Sequence, residues 1–213
     1  MNYNVIGDIQ GEYQTLLALL EQMPKDAIPV SLGDMTDRGP DSDLVVEFFK
    51  KNGKAVLGNH EHMMMDFYRK PNIDRGYGTK MDHSWTYNGG GKTLLSYINK
   101  SALLKEHLEW LETLPSYIED DNFLLSHAPL NPYIEFEKAL DLNPCNQDSI
   151  IWNRDDTLTR KPKIQIYGHN ARYKEHSDEQ GIFAYCIDNV GRGDLCGIHL
   201  PTMKVYRQPR IGI

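Results

Sequence analysis

Ala27-Ile28-Pro29-Val30-Ser31-Leu32 runs directly into Gly33-Asp34-Met35-Thr36-Asp37-Arg38-Gly39. A short apolar run of strand length thus ends in a turn carrying two carboxylates and a guanidinium. The same unit stands on either side of it. Upstream, Tyr3 to Ile6 leads into Gly7-Asp8-Ile9-Gln10-Gly11; downstream, Ala55 to Leu57 leads into Gly58-Asn59-His60-Glu61. Helical spacing fills the gaps. Leu16, Leu17, Leu19 and Leu20 fall in a segment over 12–22 that ends before Pro24, and Leu44, Val45, Phe48 and Phe49 fall in one over 42–51 with Gly53 as its stop. The pattern is βαβαβ, which implies a parallel sheet with right-handed connections. Open α/β sheets bind ligands outside the carboxyl ends of their strands. The motif residues therefore meet at one edge.

Beyond this frame, a further helix is predicted over 61–69. Residues 70–91 read as a long irregular loop, with Pro71, Gly76, Gly78 and Gly89-Gly90-Gly91 among Tyr77, Trp85 and Tyr87. Loops of that length in compact domains tend to be functional. Helices are predicted over 92–99 and 101–114, the second with Ser101 as its N-cap and Leu104, Leu108 and Leu111 on one face. Strands follow. Those over 116–119 and 123–126 flank Asp120-Asp121-Asn122 as a hairpin, and another covers 163–167. Those over 182–187, 196–200 and 204–207 are expected to close the chain as an antiparallel meander. Two of the strand ends carry an imidazole, in Ser126-His127-Ala128 and Gly168-His169-Asn170.

Asp8, Asp34, Asn59, His127 and His169 are all metal-ligand types, each just after an apolar run with a small residue before it. Singly, each reads more simply as turn chemistry or a hydrogen-bonded core group. Jointly, the mixed oxygen and nitrogen set suits Mn, Fe, Zn or a similar divalent ion. It exceeds what one tetrahedral ion needs, and Asp34 is the natural bridge between two. Two ions about 3.5–4 Å apart clamp the attacking and leaving oxygens of a phosphoryl group. Arg38 and Arg154 offer forks of donors that fit phosphate oxygens. His60 can protonate a leaving alkoxide, with Asp37 orienting its ring. His62, His83, His107, His176 and His199 are expected to be ordinary hydrogen-bonded or solvated residues.

The bulk properties agree. The 213 residues suit one domain over 1–213, with 70–91 as an active-site loop insertion. No apolar run approaches the roughly 18–20 residues of a membrane helix, and no secretory signal is visible. Three cysteines without a CxxC pair read as reduced thiols, so a cytoplasmic protein is expected. A net charge of −7 argues against general nucleic-acid binding.

These motifs, in this order and spacing, resemble the calcineurin-like metallophosphoesterases. Within them, the likeness is to the phosphoprotein phosphatase branch and the small bacterial and phage serine/threonine phosphatases. The pattern GDxHG, GDxxDRG, GNHE, a later histidine and GH stands here at Gly7–Gly11, Gly33–Gly39, Gly58–Glu61, His127 and Gly168-His169; Asn88-Gly89-Gly90-Gly91 and Trp152-Asn153-Arg154 also resemble that group. The resemblance implies an α/β fold, a four-layer αββα sandwich of two mixed sheets flanked by helices. It implies a first cation at Asp8, Gln10 and Asp34 and a second at Asp34, Asn59, His127 and His169. It makes His60 the acid, backed by Asp37, with Arg38, Arg154 and Asn59 on the phosphate. A metal-bound hydroxide would attack phosphorus directly.

One position departs from the pattern. Gln10 stands where histidine is usual, and a carboxamide oxygen is a weaker donor than imidazole. The first ion should then be looser, and Mn or Mg should be favoured over Zn or Fe. Manganese is the leading expectation for both sites. The expected substrate is a phosphoserine or phosphothreonine protein. The alternative is a symmetrical dinucleoside tetraphosphate, which Gln10 favours and which the aromatic stretch from Tyr68 to Tyr87 could bind by stacking a base. A weakly active phospho-binding protein is a third, lesser reading.

Overall fold

The computed structural model describes residues 1–69 and 85–212. Two five-stranded sheets lie face to face. The first contains β1 (Tyr3–Ile6), β2 (Ile28–Ser31), β3 (Lys54–Ala55), β9 (Asp194–Leu200) and β10 (Lys204–Pro209), in the order β10-β9-β1-β2-β3. The second contains β4 (Tyr117–Glu119), β5 (Phe123–Ser126), β6 (Ile164–Tyr167), β7 (Lys174–Asp178) and β8 (Gly181–Cys186), in the order β4-β5-β6-β8-β7. Both sheets are mixed. β1, β2 and β3 are parallel, as are β5, β6 and β8, while β4, β7, β9 and β10 pair antiparallel to their neighbours.

Alternation along each strand builds two cores. Val5, Val30 and Val56 point between the sheets, where they meet Phe123, Leu125, Ile166, Ile187 and Ile198. Their neighbours Ile6, Ala55 and Leu57 point the other way, into helices α1 (Tyr13–Gln22), α2 (Ser42–Asn52), α3 (Asn59–Arg69) and α5 (Ser101–Leu111). Leu16, Leu19, Val45, Val46, Phe49, Met64 and Leu111 are buried there. This is the period-2 strand against the period-3.6 helix. The outer face of the second sheet carries a thinner layer. It consists of the short α6 (Phe136–Ala139), whose Phe136 packs on Tyr117 with ring centroids 5.1 Å apart, and of coil. The arrangement is the expected αββα sandwich.

Several local expectations need correction. Residues 70–84, most of the expected loop insertion, lie outside the described residues, as does His83. The end of that stretch kinks at Gly89, whose φ is 114°, and then leads into α4 (Gly91–Ser96). Ser101 does not cap α5. Lys100 holds the N-cap position with no side-chain cap bond, and Ser101 is the first helical residue. The closing meander is split between the sheets. β8 joins the second sheet beside β6, and only β9 and β10 form a hairpin in the first. β7 was not expected at all, because Lys174-Glu175-His176-Ser177-Asp178 is an edge strand that buries only His176.

Candidate active site

The expected site residues other than Arg154, which lies in the coil between α6 and β6, sit at strand ends or in the loops beside them. Asp8 and Gln10 follow β1, Asp34, Asp37 and Arg38 follow β2, Asn59 and His60 open α3 after β3, His127 follows β5, and His169 follows β6. Three strands of the first sheet and two of the second thus contribute, and backbone contacts hold the two halves together. The Nδ1–H of His127 donates to Leu32 O at 2.8 Å across the sheets, and the His169 N–H donates to Asp8 Oδ1 at 3.1 Å. The close approach at His169 explains Gly168, because a Cβ there would stand 2.3 Å from Asp8 Oδ1. The turns themselves are strained. Gln10, Asp34, Asp37, Arg38 and His169 all take positive φ, between 50° and 74°. Such conformations cost energy in non-glycine residues and gather at functional sites.

The histidines show what the centre can hold. Leu32 O can only accept, so His127 keeps its proton on Nδ1 and leaves Nε2 bare. Trp152 O lies 3.3 Å from His169 Nε2 and fixes the opposite tautomer there, leaving Nδ1 bare. The two bare nitrogens are 3.1 Å apart. Asn59 Oδ1 stands 2.8 Å and Asp34 Oδ1 3.3 Å from His127 Nε2. Four lone-pair donors therefore converge with no proton of their own to share. Ligand atoms of Asp34, His127 and His169 all lie within 4.8 Å of one another, and all three residues are buried. Metal-binding histidines characteristically donate their second ring N–H to a carbonyl in this way. Burial holds both imidazoles below their ordinary pKa, and His127 and Arg154 lower that of His169 further. The donor set fits a divalent cation.

Carboxylates fill the other side. Asp34 is buried, which alone would raise its pKa, but His127, His60 and His169 bring it down to about 2. Asp8 is raised by burial, then by Asp188 and Asp34. Asp188, 1% exposed, hydrogen-bonds Asp8 and accepts from the N–H groups of Ala171 and Val190. Glu61 sits beneath Asp34 and takes its N–H at 2.8 Å, together with the N–H and hydroxyl of Thr36; burial and Asp34 push it to about 7. Gln10 Oε1 accepts from Arg210 Nη2 at 3.2 Å.

His60 stands to one side. Its Nδ1–H donates to Asp37 Oδ2 at 2.6 Å, and its Nε2 lies 3.7 Å from Asp34 Oδ2 and 3.3 Å from Arg38 Nη2. Burial works against a charge on this ring, but Asp34 and Asp37 outweigh it and raise its pKa. Asp37 is fully buried. Trp85 Nε1 also donates to it at 2.9 Å, and Thr93 Oγ1 at 2.6 Å. Arg38 and Arg154 are the exposed guanidinium residues at the rim; Arg154 Nη1 donates to His169 O at 2.8 Å. Of the aromatic stretch expected to stack a base, residues 70–84 lie outside the described residues; at its end Trp85 is buried against Phe67 at 4.8 Å, and Tyr87 is 90% exposed. A separate apolar pocket of about 410 Å³ opens beyond the second sheet among Leu124, Leu130, Ile134 and Phe136; it includes none of these site residues.

The model of the calcineurin-like phosphoesterase family matches residues 1–186. The chain belongs to that family. As a calcineurin-like phosphoesterase it is a hydrolase of a divalent-metal-dependent family, and its buried cluster of Asp34, His127 and His169 is a possible cation site. It is 29% identical to serine/threonine-protein phosphatase 2 of Salmonella typhimurium over 226 residues, covering 94% of this chain and 91% of that one. It is 33% identical to the symmetrical bis(5'-nucleosyl)-tetraphosphatase of Vibrio campbellii over 142 residues, 63% of this chain and 47% of that one. The match thus spans about half the length of such tetraphosphatases. Among solved structures, a putative diadenosine tetraphosphatase superposes with a TM-score of 0.69 at 20% identity, covering 100% of this chain and 95% of that one, a likeness of fold. No helix among the described residues is long and apolar enough to cross a membrane.

Sequence reasoning missed four participants. Asp188 had a signal: it follows the apolar run 182–187 as Asp8 and Asp34 follow theirs, and the same strand-end rule would have found it. Trp85, Thr93 and Arg210 had none, because they reach the site from segments distant in sequence.

Proposed function

We propose that this calcineurin-like phosphoesterase hydrolyses phosphate monoesters of phosphoserine or phosphothreonine proteins, using two divalent cations, manganese first among them. The observation that carries this reading is the convergence of bare lone pairs from Asp34, Asn59, His127 and His169 beside the paired His60 and Asp37. Asp34, Asn59, His127 and His169 would hold one cation; Asp8 and Asp34, with Gln10 the weakest member, would hold the other. When bound, such cations supply a water nucleophile at neutral pH and offset phosphoryl charge. Arg38 and Arg154 bind the phosphoryl oxygens with Asn59 and fix the ester in line. His60 gives the proton on Nε2 to the departing oxygen, while Asp37 holds the ring and stabilises its charge. General-acid help of this kind is typically worth about 10²–10⁴ in rate. A cytoplasmic setting and a single functional domain over 1–213 are part of the same reading.

The coverage of phosphatase 2, nearly end to end on both chains, favours the phosphoprotein substrate. Gln10 and the identity to tetraphosphatases favour the second reading, a symmetrical dinucleoside tetraphosphate hydrolase. One experiment decides. With manganese added, kcat/KM is measured on a phosphoserine peptide and on diadenosine tetraphosphate, with p-nitrophenyl phosphate as a common control. Preference for the peptide is expected. A higher value on the dinucleotide selects the second reading, and inactivity of the folded, metal-loaded protein on all three substrates leaves only a phospho-binding role.

A further inference from the structure

Resting on that reading, we propose that Arg210 sets how many cations the site holds. Its guanidinium occupies the Gln10 carboxamide oxygen and places a fixed positive charge on the Asp8 side, so the first cation binds far more weakly than the second.

The geometry is built for the purpose. Arg210 follows β10, and the chain around it is tied down on both sides: its N–H donates to Gly193 O at 2.9 Å, and the next N–H, of Ile211, donates to Thr15 Oγ1 at 3.0 Å. The side chain is 7% exposed and forks between Gln10 of the first motif and Glu12 just after it. Nη2 donates to Gln10 Oε1 at 3.2 Å, and Nη1 stands 3.5 Å from Glu12 Oε1. Gln10 itself is 1% exposed. A carboxamide has one accepting end and one donating end. Here the accepting end faces the guanidinium. The other end, Nε2, is buried with no acceptor among the described residues, and an N–H cannot ligate a cation. An imidazole in the same place would offer an unshared nitrogen lone pair; this oxygen must share itself with the guanidinium.

Charge points the same way. Asp8 and Asp188 touch within the buried centre, and Arg210 feels both of them as well as Glu12. A resident guanidinium offsets part of the charge that would otherwise draw in a cation, and it repels the cation directly. The opposite side differs: Asp34, His127 and His169 keep their lone pairs converging on one point. The two positions should therefore differ widely in affinity, by a device that lies just after β10 and outside every motif.

Manganese titration of the metal-free, full-length protein tests this, by calorimetry and by the electron paramagnetic resonance of bound Mn. In the wild type the first equivalent should bind tightly and the second at least about tenfold more weakly. In Arg210→Met the second equivalent should gain roughly tenfold or more, the scale on which groups behind metal ligands act, and coupled dinuclear spectra should grow in at lower manganese. Arg210→Lys, which keeps the charge but cannot fork, should gain less. An unchanged or weakened second equivalent in folded Arg210→Met overturns the inference, and if that variant does not fold, the same result in Arg210→Lys overturns it. Two equally tight equivalents in the wild type overturn the role of Arg210 alone. No manganese uptake by any of the proteins overturns the two-manganese reading with it.

Discussion

His60 depends on Asp37, and Asp37 is held by three donors, the ring of His60, the indole of Trp85 and the hydroxyl of Thr93. The acid is therefore only as well placed as this buried carboxylate. His60→Asn should lower kcat by about 10²–10⁴ while bound manganese stays unchanged; a variant with wild-type kcat would remove His60 from the proton transfer. Trp85→Phe keeps the packing against Phe67 and deletes one donor. A fall in kcat of roughly tenfold is expected, again with metal retained, since one charge-assisted hydrogen bond of about 1.5–3 kcal/mol is lost. Metal loss in that variant would show instead that Trp85 supports the cation centre. At this scale, the motif residues were legible because each stands beside a glycine or serine at the end of an apolar run. Their supports were not, since Trp85 and Thr93 approach Asp37 from 48 and 56 positions away.

Elements carry the motifs and also carry polar seams of their own. Between α2 and α5, His107 is fully buried; its Nε2 meets Glu47 at 2.9 Å and its Nδ1 meets the Tyr97 hydroxyl at 2.7 Å. A hydrogen bond from Lys51, then one from His107, holds Glu47 at about 2, below its ordinary 4.5. A depressed carboxylate stabilises the fold above its unfolded pKa, and that contribution is lost as pH falls from about 4.5 towards 2. Glu47 is half-buried but its partner Lys51 is exposed, so the effect should stay within ~1 kcal/mol. Urea unfolding at pH 6 and pH 3 should show Glu47→Gln losing less stability between the two than the wild type; parallel losses would count against the seam. Helices α1, α2 and α5 and the strands that feed the site were readable from spacing alone, because each has one apolar face or a continuous apolar run. β7 was hidden by its polarity. The turn over Thr86–Gly90 was hidden by its glycines: Gly89 takes a φ of 114°, and a Cβ there would stand 2.8 Å from the Arg38 backbone nitrogen. The glycine that reads as loop is what lets the turn over Thr86–Gly90 lie against the second motif.

For the molecule as a whole, the site lies across the seam between two sheets, with Asp8, Asp34 and Asn59 from one and His127 and His169 from the other. A cation held there links the halves and binds only the folded state. At about 100 times its Kd it would add roughly 2.7 kcal/mol, or about 5–10 °C in Tm for a chain of this size. Scanning calorimetry with excess manganese and with a chelator should show that gap, and identical traces would mean that no cation spans the sheets. The parallel core of the first sheet was legible from the strand-end motifs, and the four-layer plan from the family likeness. The allocation of the last strands was not, since β8, β9 and β10 have similar apolar runs and only long-range pairing assigns them.

β1 takes its antiparallel neighbour from residues 194–200. During synthesis, then, that strand waits beside the ribosome with one flank bare until nearly two hundred further residues have emerged. The first sheet therefore closes late in synthesis, after every motif residue from Asp8 to His169 has been made.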